Sequence, residues 1–123
     1  MVTQAMLPLL RGAPAARIVN LSSGLGSLTW NGDPAWSFAP AKLLGYNTSK
    51  AAVNMLTIQL AYELRDTLIK VNSANPGFTA TDMNAHRGTQ TLEEGAAEPV
   101  RLALLPADGP SGGFFDTNGS NPW

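Results

Sequence analysis

A stretch of twenty residues without glycine or proline, YNTSKAAVNMLTIQLAYELR (46–65), stands between two short β-branched runs, ARIVNLSS (16–23) and LIKVNSAN (68–75). Within it Ala52, Met55, Leu56, Gln59, Leu60, Glu63 and Leu64 recur at near-helical spacing, which predicts a helix. The flanking runs are entered or stopped by proline and glycine and read as buried strands. A strand, a helix and a second strand at these distances imply parallel pairing through a right-handed crossover, half of a doubly wound α/β sheet.

The rest of the chain extends the same pattern. VTQAMLPLL (2–10) reads as the closing turns of a helix, with Pro8 expected to break a helix interior and Gly12 acting as a stop. Residues 24–45 hold four glycines, two prolines and the aromatics Trp30, Trp36 and Phe38, the composition of a long ordered loop. TLEEGAAEPVRLALL (91–105) opens on a Thr91/Glu94 capping box, and Pro99 is expected to kink or restart that helix near Gly95. GGFFD (112–116) predicts a third strand, and TNGSNPW reads as a tail.

Eight basic against nine acidic residues give a net charge of −1, so no strong field draws nucleic acid or an anionic membrane surface. Charged residues make up 14%, against about 25% in an average globular protein. That suggests more buried surface than a domain of 123 residues needs. The absence of cysteine removes disulfides, thiolate metal sites and a cysteine nucleophile. No apolar run approaches the roughly 18 to 20 residues of a membrane span, and MVTQAMLPLLRG lacks a basic n-region, so a cytoplasmic protein is expected.

Tyr46-Asn-Thr-Ser-Lys50 is the segment that carries chemistry. Positions i and i+4 share a helix face, so the Lys50 ammonium can sit near the Tyr46 phenol and favour its phenolate. A phenol poised in that way can exchange a proton with a carbonyl or alcohol oxygen. Ser23 ends the strand before this helix, and Pro76-Gly77 ends the strand after it. Carboxyl ends of parallel strands line one crevice, where these residues would meet. Asn20 and Ser22 are expected to stabilise the strand end, and Asn72 to bond backbone across the sheet.

N-L-S-S-G, Y-N-T-S-K and N-P-G-F-T-A-T-D-M, in this order, resemble the short-chain dehydrogenases/reductases. T-x-E-E-G-A-x-E-P-V-x-L-A-L-L-P, then G-P-x-G-x-F and Trp123, is similar to the carbonyl reductases within that family. The resemblance implies an NADP(H)-dependent oxidoreductase that reduces a ketone or aldehyde to an alcohol, and it leaves NADH open. It assigns Ser23 to the substrate carbonyl, Tyr46 to proton transfer, and Lys50 to the nicotinamide ribose and the phenolate. Pro76, Gly77, Phe78 and Thr79 would approach the nicotinamide through their backbone, with the Thr81 hydroxyl near the cofactor.

The family's glycine-rich phosphate loop, its ribose-reading residue and its N-N-A-G strand end have no counterpart in these residues. Gly24-Leu25-Gly26 follows the wrong strand for that loop. The resemblance therefore implies that residues 1–123 are the C-terminal catalytic half of one Rossmann-type reductase domain. A complete protein is expected to be monomeric, and the isolated chain inactive and prone to self-association. The alternative is a truncated relative without catalysis, or a non-enzymatic pairing partner. Trp30, Trp36 and Phe38 either wall a substrate pocket or fasten their loop to the body. His86, without a carboxylate partner or ligand spacing, reads as a solvated loop residue rather than a metal ligand, and Arg87 as a surface arginine.

Overall fold

The computed structural model describes residues 2–123. Helix α1 (Val2–Gly12) leads into strand β1 (Arg17–Leu21), a 3-10 turn (Gly24–Gly26), the short helix α2 (Leu28–Gly32) and the long helix α3 (Leu44–Glu63). Strand β2 (Lys70–Ala74), a second 3-10 turn (Asp82–Asn84), helix α4 (Leu92–Ala103) and strands β3 (Phe114–Asp116) and β4 (Gly119–Ser120) complete the chain. The sheet order is β1-β2-β3-β4. The first three strands are parallel, with Ile18 opposite Val71 and Ser73 opposite Phe114, and β4 turns back antiparallel to β3. The expected three parallel strands with crossover helices are present, and the expected tail is instead the fourth strand and its anchor.

Alternation along the strands sends successive side chains to opposite faces. Ile18 and Val71 join Ala16, Leu60, Leu64 and Ile69 in one apolar cluster, against which Leu7, Leu10 and Leu56 pack from α1 and α3. Val19 and Ala74 point the other way, where they meet Leu102, Leu105 and Phe115. Helices thus cover both faces of the sheet. Each fully buried side chain of the size of Val71, Leu64 or Leu102 contributes about 1.5–3 kcal/mol.

The expected break at Pro8 and restart at Pro99 do not occur. Helix α1 runs through Pro8 to Gly12, and α4 runs through Pro99 to Ala103. Pro8 lies on an exposed face. In α4 the carbonyl left without an N–H donor belongs to Gly95, four residues before Pro99. The Thr91/Glu94 capping box and the burial of Glu98 and Leu102 hold that helix on either side.

Helix α3 begins at Leu44, before the predicted start, and of the predicted set only Leu56, Leu60 and Leu64 face the core. Asn54, Thr57 and Leu60 are its buried residues, whereas Ala52, Met55, Gln59 and Glu63 are exposed. Polar groups decide the orientation. Thr57 Oγ1 accepts from Asn20 Nδ2 at 2.8 Å, lies 2.7 Å from Ser73 Oγ and donates to the Val53 carbonyl at 3.0 Å. A buried hydroxyl must keep such partners, which fixes the helix orientation, and hydrophobic periodicity does not register it.

The segment 24–45 is more ordered than a plain loop. Ser27 Oγ caps α2 by accepting from the Trp30 N–H at 3.1 Å, and Asn31 Nδ2 bonds the carbonyls of Leu25 and Ser27. The Thr29 N–H and hydroxyl both donate to the Trp123 carbonyl, at 2.9 and 2.7 Å, while the Trp123 ring stacks on Phe114. The Thr29 bonds thus tie the segment to the C-terminal Trp123.

Candidate active site

Strand β1 delivers Ser22 and Ser23 to the carboxyl end of the sheet. The Ser23 hydroxyl oxygen accepts from the Leu25 N–H at 3.2 Å, which leaves its own proton free to donate. Tyr46 and Lys50 lie one turn apart near the start of α3, and the Lys50 Nζ sits 5.6 Å from the centre of the Tyr46 ring. The same ammonium donates to the Leu21 carbonyl at 2.9 Å. An ammonium has three donors, so two remain for a ligand. Lys50 therefore ties the tyrosine's helix to the end of β1.

Strand β2 ends in Asn75-Pro76-Gly77. Asn75 Oδ1 accepts from the Gly77 N–H at 3.1 Å, and Gly77 adopts φ +74°, a left-handed value that glycine takes without strain. A cavity of about 320 Å³ opens beside this turn, and Ser23, Trp36, Phe38, Gly77, Phe78 and Asp116 are among its lining residues. Pro76 also lines it. The predicted residues Tyr46, Lys50, Thr79 and Thr81 lie outside the lining.

Thr79 and Thr81 have structural partners. The Thr79 hydroxyl donates to the Pro76 carbonyl at 3.2 Å, and its side chain rests on Gly95 of α4, where a Cβ would come within 2.3 Å of Thr79 Oγ1. Thr81 shapes the following turn. Its N–H donates to Asn84 Oδ1, and its carbonyl accepts from the N–H groups of Asn84 and His86. His86 has the carboxylate partner that its sequence context had not indicated, with Nε2 2.8 Å from Asp82 Oδ1 on an exposed turn. The Arg87 Nε bonds the Asn84 carbonyl on the surface. Asn72 bonds backbone as expected, donating to the Pro110 carbonyl at 2.9 Å and accepting from the Gly113 N–H at 3.0 Å. Asn20 reaches α3 rather than the strand end.

Comparison with known proteins supplies the family. The short chain dehydrogenase model matches residues 1–92. The chain belongs to the short-chain dehydrogenase family. Salutaridine reductase of Papaver somniferum is 34% identical, and the match covers 94% of this chain and 47% of that protein. Carbonyl reductase [NADPH] 1 of Mus musculus is 40% identical over 63% of this chain and 30% of its own length. Among solved structures, NADPH-bound carbonyl reductase from chicken fatty liver superposes with a TM-score of 0.79 at 28% identity, covering 99% of this chain and 51% of that one. This short-chain dehydrogenase chain spans about half the length of the curated relatives it matches.

The sequence reading of this short-chain dehydrogenase missed Asn75, Gln90, Asp116, Thr117 and Asn118, all of which line the cavity. Asp116 to Asn118 follow β3, so the rule that placed Ser23 and Pro76 at the carboxyl ends of parallel strands reaches them too. Gln90 carries no local signal. Its Oε1 is buried with no hydrogen-bond partner among the described residues, next to Gly77. An orphaned acceptor beside a left-handed glycine suits an amide N–H, so the residues present fit the carboxamide of a nicotinamide. Among the described residues no helix is long and apolar enough to cross a membrane.

Proposed function

We propose that residues 1–123 form the C-terminal catalytic half of one Rossmann-type domain of an NADPH-dependent carbonyl reductase. The observation that carries this reading is the Tyr46/Lys50 pair, fixed through Lys50 to the Leu21 carbonyl at the end of the strand that delivers Ser23. Two kinds of relative support it: reductases that match nearly the whole chain, and an NADPH-bound carbonyl reductase that shares its fold. A cytoplasmic setting and a monomeric complete protein belong to the same proposal.

NADPH, when bound, supplies the hydride that reaches the carbonyl carbon. The Ser23 hydroxyl donates to the carbonyl oxygen and holds it in place. Tyr46 gives its proton to that oxygen as it becomes an alkoxide, and Lys50 favours the phenolate left behind. The two free Lys50 donors suit the hydroxyls of the nicotinamide ribose. Pro76, Gly77, Phe78 and Thr79 would present backbone to the nicotinamide, Gln90 Oε1 would offer an acceptor to its carboxamide, and Thr81 would hold its hydroxyl near the cofactor.

The test is a chimera in which the first half of chicken carbonyl reductase precedes residues 1–123. It should oxidise NADPH when given an aryl ketone and form the matching alcohol. A folded chimera that binds NADPH but reduces no ketone or aldehyde would favour the non-catalytic alternative.

A further inference from the structure

Four aromatic rings form a continuous ladder. Trp30 stacks on Trp36 with centroids 5.4 Å apart and planes inclined by 21°, Trp36 meets Phe38 at 5.6 Å, and Phe38 meets Phe78 edge-on at 6.1 Å. All four rings line the cavity beside Ser23. Trp30 also lies against Gly24, where a Cβ would stand 3.1 Å from the indole, so the ladder is packed onto the strand end. The aromatics of the long segment between Ser23 and Tyr46 both fasten it and wall the pocket.

One lining residue carries a charge, and it is acidic. Asp116 accepts the Asn118 N–H through Oδ1 at 2.7 Å in the turn between β3 and β4, which fixes one carboxylate oxygen and leaves the other free. Among the described residues no Lys, Arg or His nitrogen lies within 4 Å of this carboxylate. Aromatic faces present the negative part of their quadrupole, and the carboxylate adds a field of the same sign. Lining of this kind attracts a positive charge and accepts the flat apolar body attached to it.

We propose that the cavity takes a ring-bearing carbonyl compound that carries a protonated or quaternary amine, with the cation held between the aromatic ladder and Asp116. The carbonyl end rests on the reductase reading given above, since Ser23 lines the same cavity.

The test compares 4-acetyl-N,N,N-trimethylanilinium with 4-tert-butylacetophenone, a neutral ketone of the same shape in which carbon replaces the charged nitrogen. Quenching of tryptophan fluorescence in the chimera with the first half of chicken carbonyl reductase reads binding directly. The cation should bind about tenfold more tightly at low salt, and the preference should shrink as salt is added. Asp116→Asn keeps the Oδ1 acceptor for Asn118 and should bring the two ligands to within about twofold. Trp36→Leu should weaken both.

Equal or tighter binding of the neutral ketone, binding of neither ligand, or a cation preference that survives both variants would overturn the proposal. The assay needs no turnover. Loss of the preference therefore leaves ketone reduction by the chimera untouched, whereas selective cation binding in a chimera that never oxidises NADPH would support the pocket and remove the reductase reading alone.

Discussion

A Cβ on Gly26 would stand 2.8 Å from the carbonyl carbon of Lys50 and 2.9 Å from its carbonyl oxygen, so the turn after β1 and helix α3 meet backbone to backbone at the residue that carries the ammonium. Neither side has a flexible end that can swing away. Gly26→Ala must push α3 off the sheet, which should cost about 1–3 kcal/mol. The lower midpoint should appear in a urea melt of the chimera with the first half of chicken carbonyl reductase. An unchanged midpoint would show that the helix yields freely at this point.

Glu98 is 2% exposed, and Arg101 holds both of its carboxylate oxygens, at 2.9 and 2.6 Å. Hydrogen bonds to Glu98 raise the Arg101 guanidinium above its ordinary pKa, against the opposing effect of burial. Arg101→Met leaves a buried carboxylate unpaired. The arginine side chain is half exposed, so solvent screens part of the interaction and the expected loss is about 2 kcal/mol. Glu98→Gln combined with Arg101→Met should recover most of that loss. Denaturant unfolding of the single and double variants checks both expectations, and a double variant no more stable than the single one would contradict the argument.

Strand β1 pairs with β2 alone among the described residues, and its outer side presents backbone N–H and C=O groups with Leu21 55% exposed. An unpaired edge of this kind recruits another strand, and a charge content of 14% gives little repulsion against it. The purified chain is expected to self-associate through β1, or to fold only in part. Size exclusion with light scattering should report species larger than a monomer at micromolar concentration. A clean monomer with a sharp two-state melt would make this a self-sufficient small domain.

The strand–helix–strand frame and the elements that carry Ser23, Tyr46 and Pro76-Gly77 were legible because each rests on a local pattern: a long run free of glycine and proline, an i to i+4 pair, and turns that end strands. What escaped depends on contacts distant in sequence. Helix α3 turns Thr57 rather than Met55 inward because Asn20 and Ser73 wait for its hydroxyl. The last residues anchor the site because Thr29 bonds the Trp123 carbonyl. Pro99 stays within α4 because the capping box and the buried Glu98 and Leu102 outweigh one missing hydrogen bond, a balance that the rule for an isolated helix does not weigh.

Cofactor affinity should depend on a part of the fold that these residues do not supply. Most dinucleotide contacts in a Rossmann-type fold come from the glycine-rich first strand, turn and helix, and no G-x-G-x-x-G opens a helix after a strand in residues 1–123. Calorimetry on the 123-residue chain should find NADPH binding weaker than a Kd of about 10 μM. Tighter binding would show that this half assembles a cofactor site by itself.

The most direct measurement is the turnover of Tyr46→Phe in the chimera with the first half of chicken carbonyl reductase, alongside NADPH affinity in the same preparation. Removing one hydroxyl deletes the proposed proton donor and leaves the Lys50 contact to the Leu21 carbonyl in place. Ketone reduction should fall below about 1% of the unsubstituted chimera, with NADPH affinity changed less than about twofold. A Tyr46→Phe chimera that keeps more than about a tenth of the rate at unchanged affinity would contradict the assignment of Tyr46 as the proton donor.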